Sequence, residues 1–381
     1  MDPAALLPAL PWLAPFATLF RLARHSPELT DTPPVHRGPR LSVIIPARNE
    51  ATTLATVVGS LCASTYEPLE IIIVDDRSTD GTAREAAALA AADPRIRLVE
   101  GDALPEGWFG KPWACVQGAR AAHGDILLFT DADTRHAPEL LPHAVAALEQ
   151  QRADLLTISP RQRCETFWER VVMPQMWFLL GVRYHPRAVN RARRARDVIA
   201  NGQFIMVRRE AYERVGTHAA VRHEVAEDLA LAQAFFTAGR RSYFAFAESL
   251  METRMYESLP HLVEGWSKNV YLDGRRSFPE EPVRRALVPV VLACAMLFWL
   301  LPPLVLAGAL AGVCTALLPA AAGAVALSAA FWMLMSIGMQ VPLWYGLLYP
   351  LGSATVLYIV LRSTWRGSRR VEWRGRTYSG V

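Results

Sequence analysis

The chain has 381 residues and a formal net charge of +4, enough length for two or three domains and too even a charge for a nucleic-acid module. Between Arg285 and Arg362 run 76 residues without Asp, Glu, Lys, Arg or His, which excludes a wholly soluble protein, since about 20 apolar residues span a bilayer. Five widely spaced cysteines fit neither a disulfide framework nor zinc spacing and suit a reducing compartment.

Residues 3–20 are uncharged and about long enough to span, although Pro3, Pro8, Pro11 and Pro15 weaken a regular helix. Arg21 and Arg24 follow this apolar run rather than precede it, so residues 1–24 read as a membrane anchor or interfacial helix and not a cleaved signal. A Pro-rich linker over 25–40 leads to Leu41 through Pro46, a β-branched run that predicts a buried parallel strand. A helix is expected from Glu50 to Cys62, a second strand from Leu69 to Asp76, and an Ala-rich helix to Ala92. Strands over 95–99, 125–130 and 154–158 alternate with helices over 112–122 and 138–150. This alternation predicts an α/β fold, a mostly parallel sheet with helices on both faces and ligands at the carboxyl ends of its strands. Asp75-Asp76 and the Asp131/Asp133 pair both fall at such ends.

Asp131 and Asp133 close the fourth strand with two carboxylates one residue apart. Their mutual repulsion favours a cation, and Mg²⁺ or Mn²⁺ takes such hard oxygen ligands beside nucleotide phosphates; turn aspartates that cap the next helix are the bland alternative. No Gly-x-Gly-x-x-Gly follows the first strand, and Gly107 to Lys111 lacks P-loop spacing, which disfavours dinucleotide and ATPase readings. Lys111 can reach a phosphate from a helix start or be an ordinary surface lysine. Aromatic residues between Phe167 and Tyr184, followed by Arg187, Arg191, Arg193, Arg194 and Arg196, suit a bilayer interface with anionic headgroups.

Residues 286–361 divide into two to four membrane helices, and length alone gives three, broken near Pro319 and residues 340–342. Arg275, Arg276, Arg284 and Arg285 precede this block, and Arg362, Arg366, Arg369 and Arg370 open the basic aromatic tail over 362–381. The positive-inside tendency places both flanks in the cytoplasm and therefore requires an even number of crossings. Three spans and an even number of crossings are incompatible.

Four segments in order, Ser42 to Glu50 (SVIIPARNE), Ile73 to Thr82 (IVDDRSTDGT), Thr130 to Asp133 (TDAD) and Glu227-Asp228, resemble the inverting family 2 glycosyltransferases of GT-A fold. The resemblance covers about residues 41–273. Asn201-Gly202-Gln203, residues 226–232 and 264–269, and Trp373 to Arg376 are similar to the membrane-anchored bacterial branch associated with carotenoids and hopanoids. It implies a Rossmann-like GT-A domain over 41–285, with 166–196 and 258–273 interfacial, followed by the transmembrane helices. In that likeness Pro46, Asn49 and Asp76 shape the nucleotide base pocket, Asp131 faces the ribose or donor sugar, and Asp133 with Asp131 binds Mg²⁺ or Mn²⁺. Asp228 is the implied general base, with Glu227 its rival. Lys111, Trp266 and Lys268 would contact the donor, although Gly265-Trp266-Ser267-Lys268 stands where processive members carry Gln-x-x-Arg-Trp, which argues against a polysaccharide synthase. Asn201, Gly202, Gln203, Glu227, Arg374 and Arg376 would face the acceptor or the membrane.

The implied reaction is inverting transfer from a nucleotide-diphosphate sugar, of UDP-hexose type, to an isoprenoid-type membrane lipid at the cytoplasmic face of the inner membrane. Transfer to a polyprenyl phosphate is the chemical alternative. A noncatalytic membrane scaffold with a degenerate sugar-nucleotide fold is the alternative of another class.

Overall fold

The computed structural model describes residues 3–24, 26–224, 226–277, 281–366, 370–373 and 376–379. A 3-10 helix (Pro3–Leu13) leads to α1 (Ala14–Arg24), then β1 (Arg37–Ala47), α2 (Leu54–Cys62), β2 (Glu67–Asp75), α3 (Thr82–Ala92) and β3 (Ile96–Glu100). Next come α4 (Gly110–Ala121), β4 (Ile126–Thr130), β5 (Thr134–His136), α5 (Leu140–Gln150), β6 (Leu155–Ser159) and β7 (Arg161–Gln162). They are followed by α6 (Phe167–Arg183), α7 (Pro186–Val189), β8 (Phe204–Arg208), α8 (Arg209–Arg214), α9 (Glu227–Thr237), β9 (Ser242–Phe246) and β10 (Met251–Thr253). The remainder is α10 (Leu259–Ser277), α11 (Pro282–Leu310), α12 (Leu318–Gly338), a 3-10 segment (Leu343–Leu348), α13 (Tyr349–Arg366) and a hairpin of β11 (Arg370–Trp373) and β12 (Arg376–Ser379).

These elements form two units. The helical unit takes Met1–His25, Cys164–His185 and Tyr256–Ser368, and the sheet unit takes Ser26–Arg163, Pro186–Met255 and Arg369–Val381. The catalytic stretch expected over 41–285 is thus interrupted at Cys164–His185 and ends at Met255, and both segments that leave it belong with the apolar helices. Both carry apolar faces that find partners there: Met173 of α6 meets Trp266 of α10, and Phe178 of α6 meets Phe331 of α12.

In the sheet unit, seven strands run in the order β3-β2-β1-β4-β8-β6-β9. β1, β2, β3 and β4 are mutually parallel, and β6 and β9 are parallel to each other. β8 is antiparallel to both of its neighbours, β4 and β6. The β-branched runs of β1 and β2 bury both faces: Val43, Ile45, Ile71 and Ile73 enter one core and Ile44, Ile72 and Val74 the other. Each such side chain, fully removed from water, contributes about 1.5–3 kcal/mol before entropy is counted. α4 lies close on the second face because Gly118 has no Cβ; one there would press on Ile44 and Val74. The register sets Ala47 beside Asp75 and Ile44 beside Phe129, so β1, β2 and β4 end level with one another. A small sheet, β5-β10-β7, lies beyond the end of β4.

Among the described residues of the helical unit, three helices are long and apolar enough to cross a membrane, Pro282–Leu310, Thr315–Gly338 and Leu343–Arg366. They pack through aromatic rings, with Trp299 stacked on Phe331 at 5.0 Å. The N-terminal segment joins them. Trp12 stacks on Phe298 at 4.7 Å, and its Nε1 donates to the Phe298 carbonyl at 3.2 Å.

Candidate active site

The parallel strands β1, β2 and β4 deliver Pro46, Asp76 and Asp131 to one edge of the sheet, where strand geometry stops and loops begin. Asp76 is buried, and its backbone N–H donates to the Ala47 carbonyl at 2.8 Å. Arg48 Nη1 donates to the Asp76 carbonyl at 2.6 Å. Asn49 stands in the left-handed region (φ 56°), which asparagine tolerates better than most residues. Its side-chain oxygen accepts from the Thr79 N–H at 2.8 Å and its own N–H donates to Ser78 Oγ at 3.0 Å. Asn49 therefore clamps the two loops that follow β1 and β2, shaping that corner of the crevice through backbone it holds in place.

A second group of residues converges from four elements. Lys111, in the first turn of α4, sets its Nζ 2.7 Å from Asp131 Oδ1 and 2.9 Å from Glu227 Oε1. The same ammonium lies 3.4 Å from the Gly202 carbonyl. Gly202 N–H donates to Asp228 Oδ2 at 2.9 Å, and Leu229 N–H donates to Asp228 Oδ1 at 2.7 Å. A Cβ at Gly202 would come within 2.9 Å of Lys111 Nζ and 3.2 Å of Asp228 Oδ2, so any larger residue there displaces these two charged ends. Lys111 at the positive end of a helix is in an unfavourable position by itself. The three surrounding carboxylates reverse that.

Electrostatics separate the two acids of α9. Burial alone would lower the Lys111 ammonium, but Asp131, Glu227 and Asp228 outweigh it and raise its pKa well above the ordinary value. Burial likewise opposes ionisation of Glu227, yet Lys111 at hydrogen-bond distance pulls it below the usual carboxylate range. Asp228 goes the other way, pushed up to about 6 by burial and then by the Glu227 charge beside it. One acid is fixed as a carboxylate and its neighbour is poised to take a proton near neutrality, the division of labour that general-base chemistry requires.

The loop carrying Asp131 and Asp133 rests on a buried polar network. Thr130 Oγ1 donates to the Gln203 carbonyl at 2.8 Å, and Thr134 Oγ1 donates to the Asp131 carbonyl at 2.8 Å. His136 Nε2 lies 3.2 Å from Thr130 Oγ1 and 3.0 Å from Thr134 Oγ1; burial holds this imidazole down at about 3, so it is neutral. Gln203 Nε2 donates to Thr253 Oγ1 at 3.1 Å, and Thr253 Oγ1 donates to the Asp133 carbonyl at 3.4 Å. Asn201 Nδ2 reaches Gln203 Oε1 at 3.1 Å. Asn201 and Gln203, expected on the acceptor side, thus brace the acidic loop from beneath, and only the Gly202 backbone between them touches the acid cluster. Behind it, the buried pair Tyr212 and His218 (2.7 Å) backs Phe129, with His218 lowered to about 3 by burial.

The structure therefore brings together Lys111, Asp131, Gly202, Glu227 and Asp228. Trp266 and Lys268 belong to the helical unit. Trp266 offers no open ring face for stacking on a sugar: it is 4% exposed, with Nε1 3.4 Å from Met173 Sδ and the ring beside Tyr256. Arg374 lies outside the described residues, and Arg376 begins β12. The sequence marks Thr130 as part of the TDAD stretch but gives no sign of the buried polar role of Thr134, His136 and Thr253, although Thr134 and His136, two residues apart on β5, share one buried face.

Among the described residues, no three of His, Cys, Asp and Glu converge on a point where an ion could sit. The donor set nonetheless fits Mg²⁺ or Mn²⁺: such ions need only one or two carboxylates when phosphate and water complete the shell, and Asp131 and Asp133 supply two hard oxygen ligands. Any cation at Asp131 shares that carboxylate with Lys111.

Residues 42–216 match the family described as Glycosyl transferase family 2. A 4,4'-diaponeurosporenoate glycosyltransferase of Staphylococcus haemolyticus (strain JCSC1435) is 28% identical over 244 residues, 63% of this chain and 63% of that protein. The protein of the same name from Staphylococcus aureus (strain USA300) is 27% identical over 237 residues, 60% of each. The chain thus spans less than two thirds of the length of these relatives. Among solved structures, the mannosyltransferase PcManGT from Pyrobaculum calidifontis in complex with GDP-Man and Mn²⁺ is similar with a TM-score of 0.55 and 21% identity, over 95% of this chain and 99% of that one. That likeness is one of fold.

Proposed function

We propose that this chain, which carries a family 2 glycosyltransferase domain over residues 42–216, transfers a sugar from a nucleotide-diphosphate sugar to a lipid acceptor at the cytoplasmic membrane face. The observation that carries the reading is the Lys111 cluster, in which Glu227 stays ionised while Asp228 is raised to about 6. An acceptor hydroxyl is a poor nucleophile, and Asp228 takes its proton as it attacks the anomeric carbon opposite the departing diphosphate, which inverts configuration. The Gly202 N–H positions the Asp228 carboxylate, and the Glu227 charge keeps its proton affinity high. Pro46, Asn49 and Asp76 form the nucleotide corner, with a uridine-type donor the first to test. Asp131 and Asp133 would hold a divalent cation, whose positive charge would offset that of the leaving diphosphate. Lys111 supplies fixed positive charge beside it.

A second acceptor chemistry is favoured by the relatives, which are named for a diaponeurosporenoate substrate. A carboxylate acceptor of that isoprenoid kind, like a polyprenyl phosphate, is already a nucleophile and needs no base. Asp228→Asn separates the two: transfer to a hydroxyl should fall by roughly 10² to 10⁴, and transfer to a carboxylate or phosphate should survive.

The decisive assay incubates purified full-length protein in lipid nanodiscs with labelled UDP-glucose, bacterial lipid extract and Mg²⁺ or Mn²⁺, with mass spectrometry of the products. Asp133→Ala should abolish transfer while the protein remains folded. If no sugar nucleotide, including GDP-mannose, yields a glycolipid or is hydrolysed, the scaffold reading replaces this one.

A further inference from the structure

The helical unit contains its own depth markers. α10 carries Glu264, Lys268, Asp273, Arg275 and Arg276, too many charges for a bilayer core, so this helix stays at or outside the headgroups on one face. α11 starts at Pro282, a few residues after α10 ends at Ser277, and its first turn therefore lies at that same face. The far end of the block returns to it. Arg362 Nη2 is 2.9 Å from Glu264 Oε2, Ser363 Oγ donates to the Ser267 carbonyl at 2.5 Å, and Arg366 pairs with Glu264.

Depth inside the unit agrees. Trp299 lies about 25 Å along α11 from Pro282 at 1.5 Å rise per residue. The ring of Tyr349, the first residue of α13, is 6.5 Å from the Trp299 ring. α13 therefore starts at mid-depth, and its length of about 27 Å takes it back to the α10 face without a crossing. α12 passes the same level where Phe331 stacks on Trp299. Beyond Gly338 the chain turns inward again, and Gly346 abuts the backbone of Met333 so closely that no Cβ would fit. Irregular backbone at membrane depth persists only where protein satisfies and covers it. Here Val341 and Tyr345 are buried, and Gln175 Nε2 donates to the Tyr349 carbonyl at 2.9 Å. The N-terminal segment runs alongside α12 in the same direction: Leu6 and Ala9 flank Gly323, and Phe16 meets Phe331 at 5.5 Å.

We infer that only α11 and α12 of the C-terminal block cross the bilayer, and that Leu343–Arg366, apolar enough for a third span, is a re-entrant hairpin entering and leaving by one face. Arg21, Arg284, Arg285, Arg362 and Arg366 then share that face. This removes the conflict between the three helices that length gives and the even number that the arginine flanks require.

The topology is tested in the full chain with a membrane-impermeant maleimide applied to intact cells and to inverted vesicles. One variant keeps only Cys314, exposed between α11 and α12; a second lacks all five native cysteines and carries Trp365→Cys, at a position 88% exposed near the end of α13. Cys314 should label in one preparation and W365C in the other; labelling of both in the same preparation overturns the inference. Reporter fusions to the unaltered chain give a check that needs no substitution. A re-entrant hairpin puts the C-terminus on the face opposite Cys314, whereas a third crossing puts both on the same face, and fluorescent-protein and alkaline-phosphatase fusions at the C-terminus, read against the Cys314 label, distinguish these results.

Discussion

At Asp228 two influences oppose each other. The N-terminal end of α9 and the N–H groups of Gly202 and Leu229 favour the carboxylate, while burial and Glu227 favour the acid, and the balance stands at about 6. A base must be deprotonated to act, so turnover on a hydroxyl acceptor should climb as pH rises through about 6 and level off above it. Measured as initial rate from pH 5 to 8 at saturating donor, this limb should disappear in Asp228→Asn along with most of the rate. Glu227→Gln removes a charge that raises Asp228 and should move the limb to lower pH; an unmoved limb would take Glu227 out of this role. Gly202→Ala drives a methyl group between Lys111 and Asp228. Its expected signature is a loss of turnover of 10-fold or more, of the order that misplaced catalytic groups cost, with thermal stability little changed.

Among the elements, the polar network beneath β4 and β5 makes the strongest demand on stability. Gln203→Leu would remove one hydrogen bond each from Thr253 and Asn201, which keep the Asp133 and Ile158 carbonyls, and a lost hydrogen bond costs about 0.5–1.5 kcal/mol. A fall in melting temperature accompanied by weaker metal stimulation is the expected outcome, since the acidic loop loses its brace. This network was not legible in the sequence, for a physical reason: Thr130 and Gln203 meet across 73 residues of chain, and nothing local records that contact. By contrast, five of the six strands and all four helices between residues 41 and 159 were legible, the three-residue β5 being the exception, because β-branched runs such as β1 and β2 are written in continuous sequence. Lys111 was readable as a charge near a helix start. Its three acidic neighbours became apparent only when α4, β4 and α9 were folded together. β8 escaped notice because a short apolar run after an arginine-rich stretch carries no mark of its antiparallel place between β4 and β6.

On the scale of the whole molecule, the two units are interleaved along the chain rather than joined end to end. A fragment of residues 26–163 contains β1, β2, β3, β4 and β6 but lacks β8, the strand that pairs with both β4 and β6. Expressed alone it should be insoluble, from the unpaired edges of β4 and β6; recovery as a folded monomer would show that β8 is dispensable. The same gap in the sheet has a consequence for the order of events on the ribosome. Synthesis delivers β6, then the whole of α6 for the helical unit, and only afterwards β8. The middle of the sheet therefore stays open while a neighbouring stretch of nascent chain is seeking apolar surroundings, so the sheet's central seam closes only after the whole of α6 has been made.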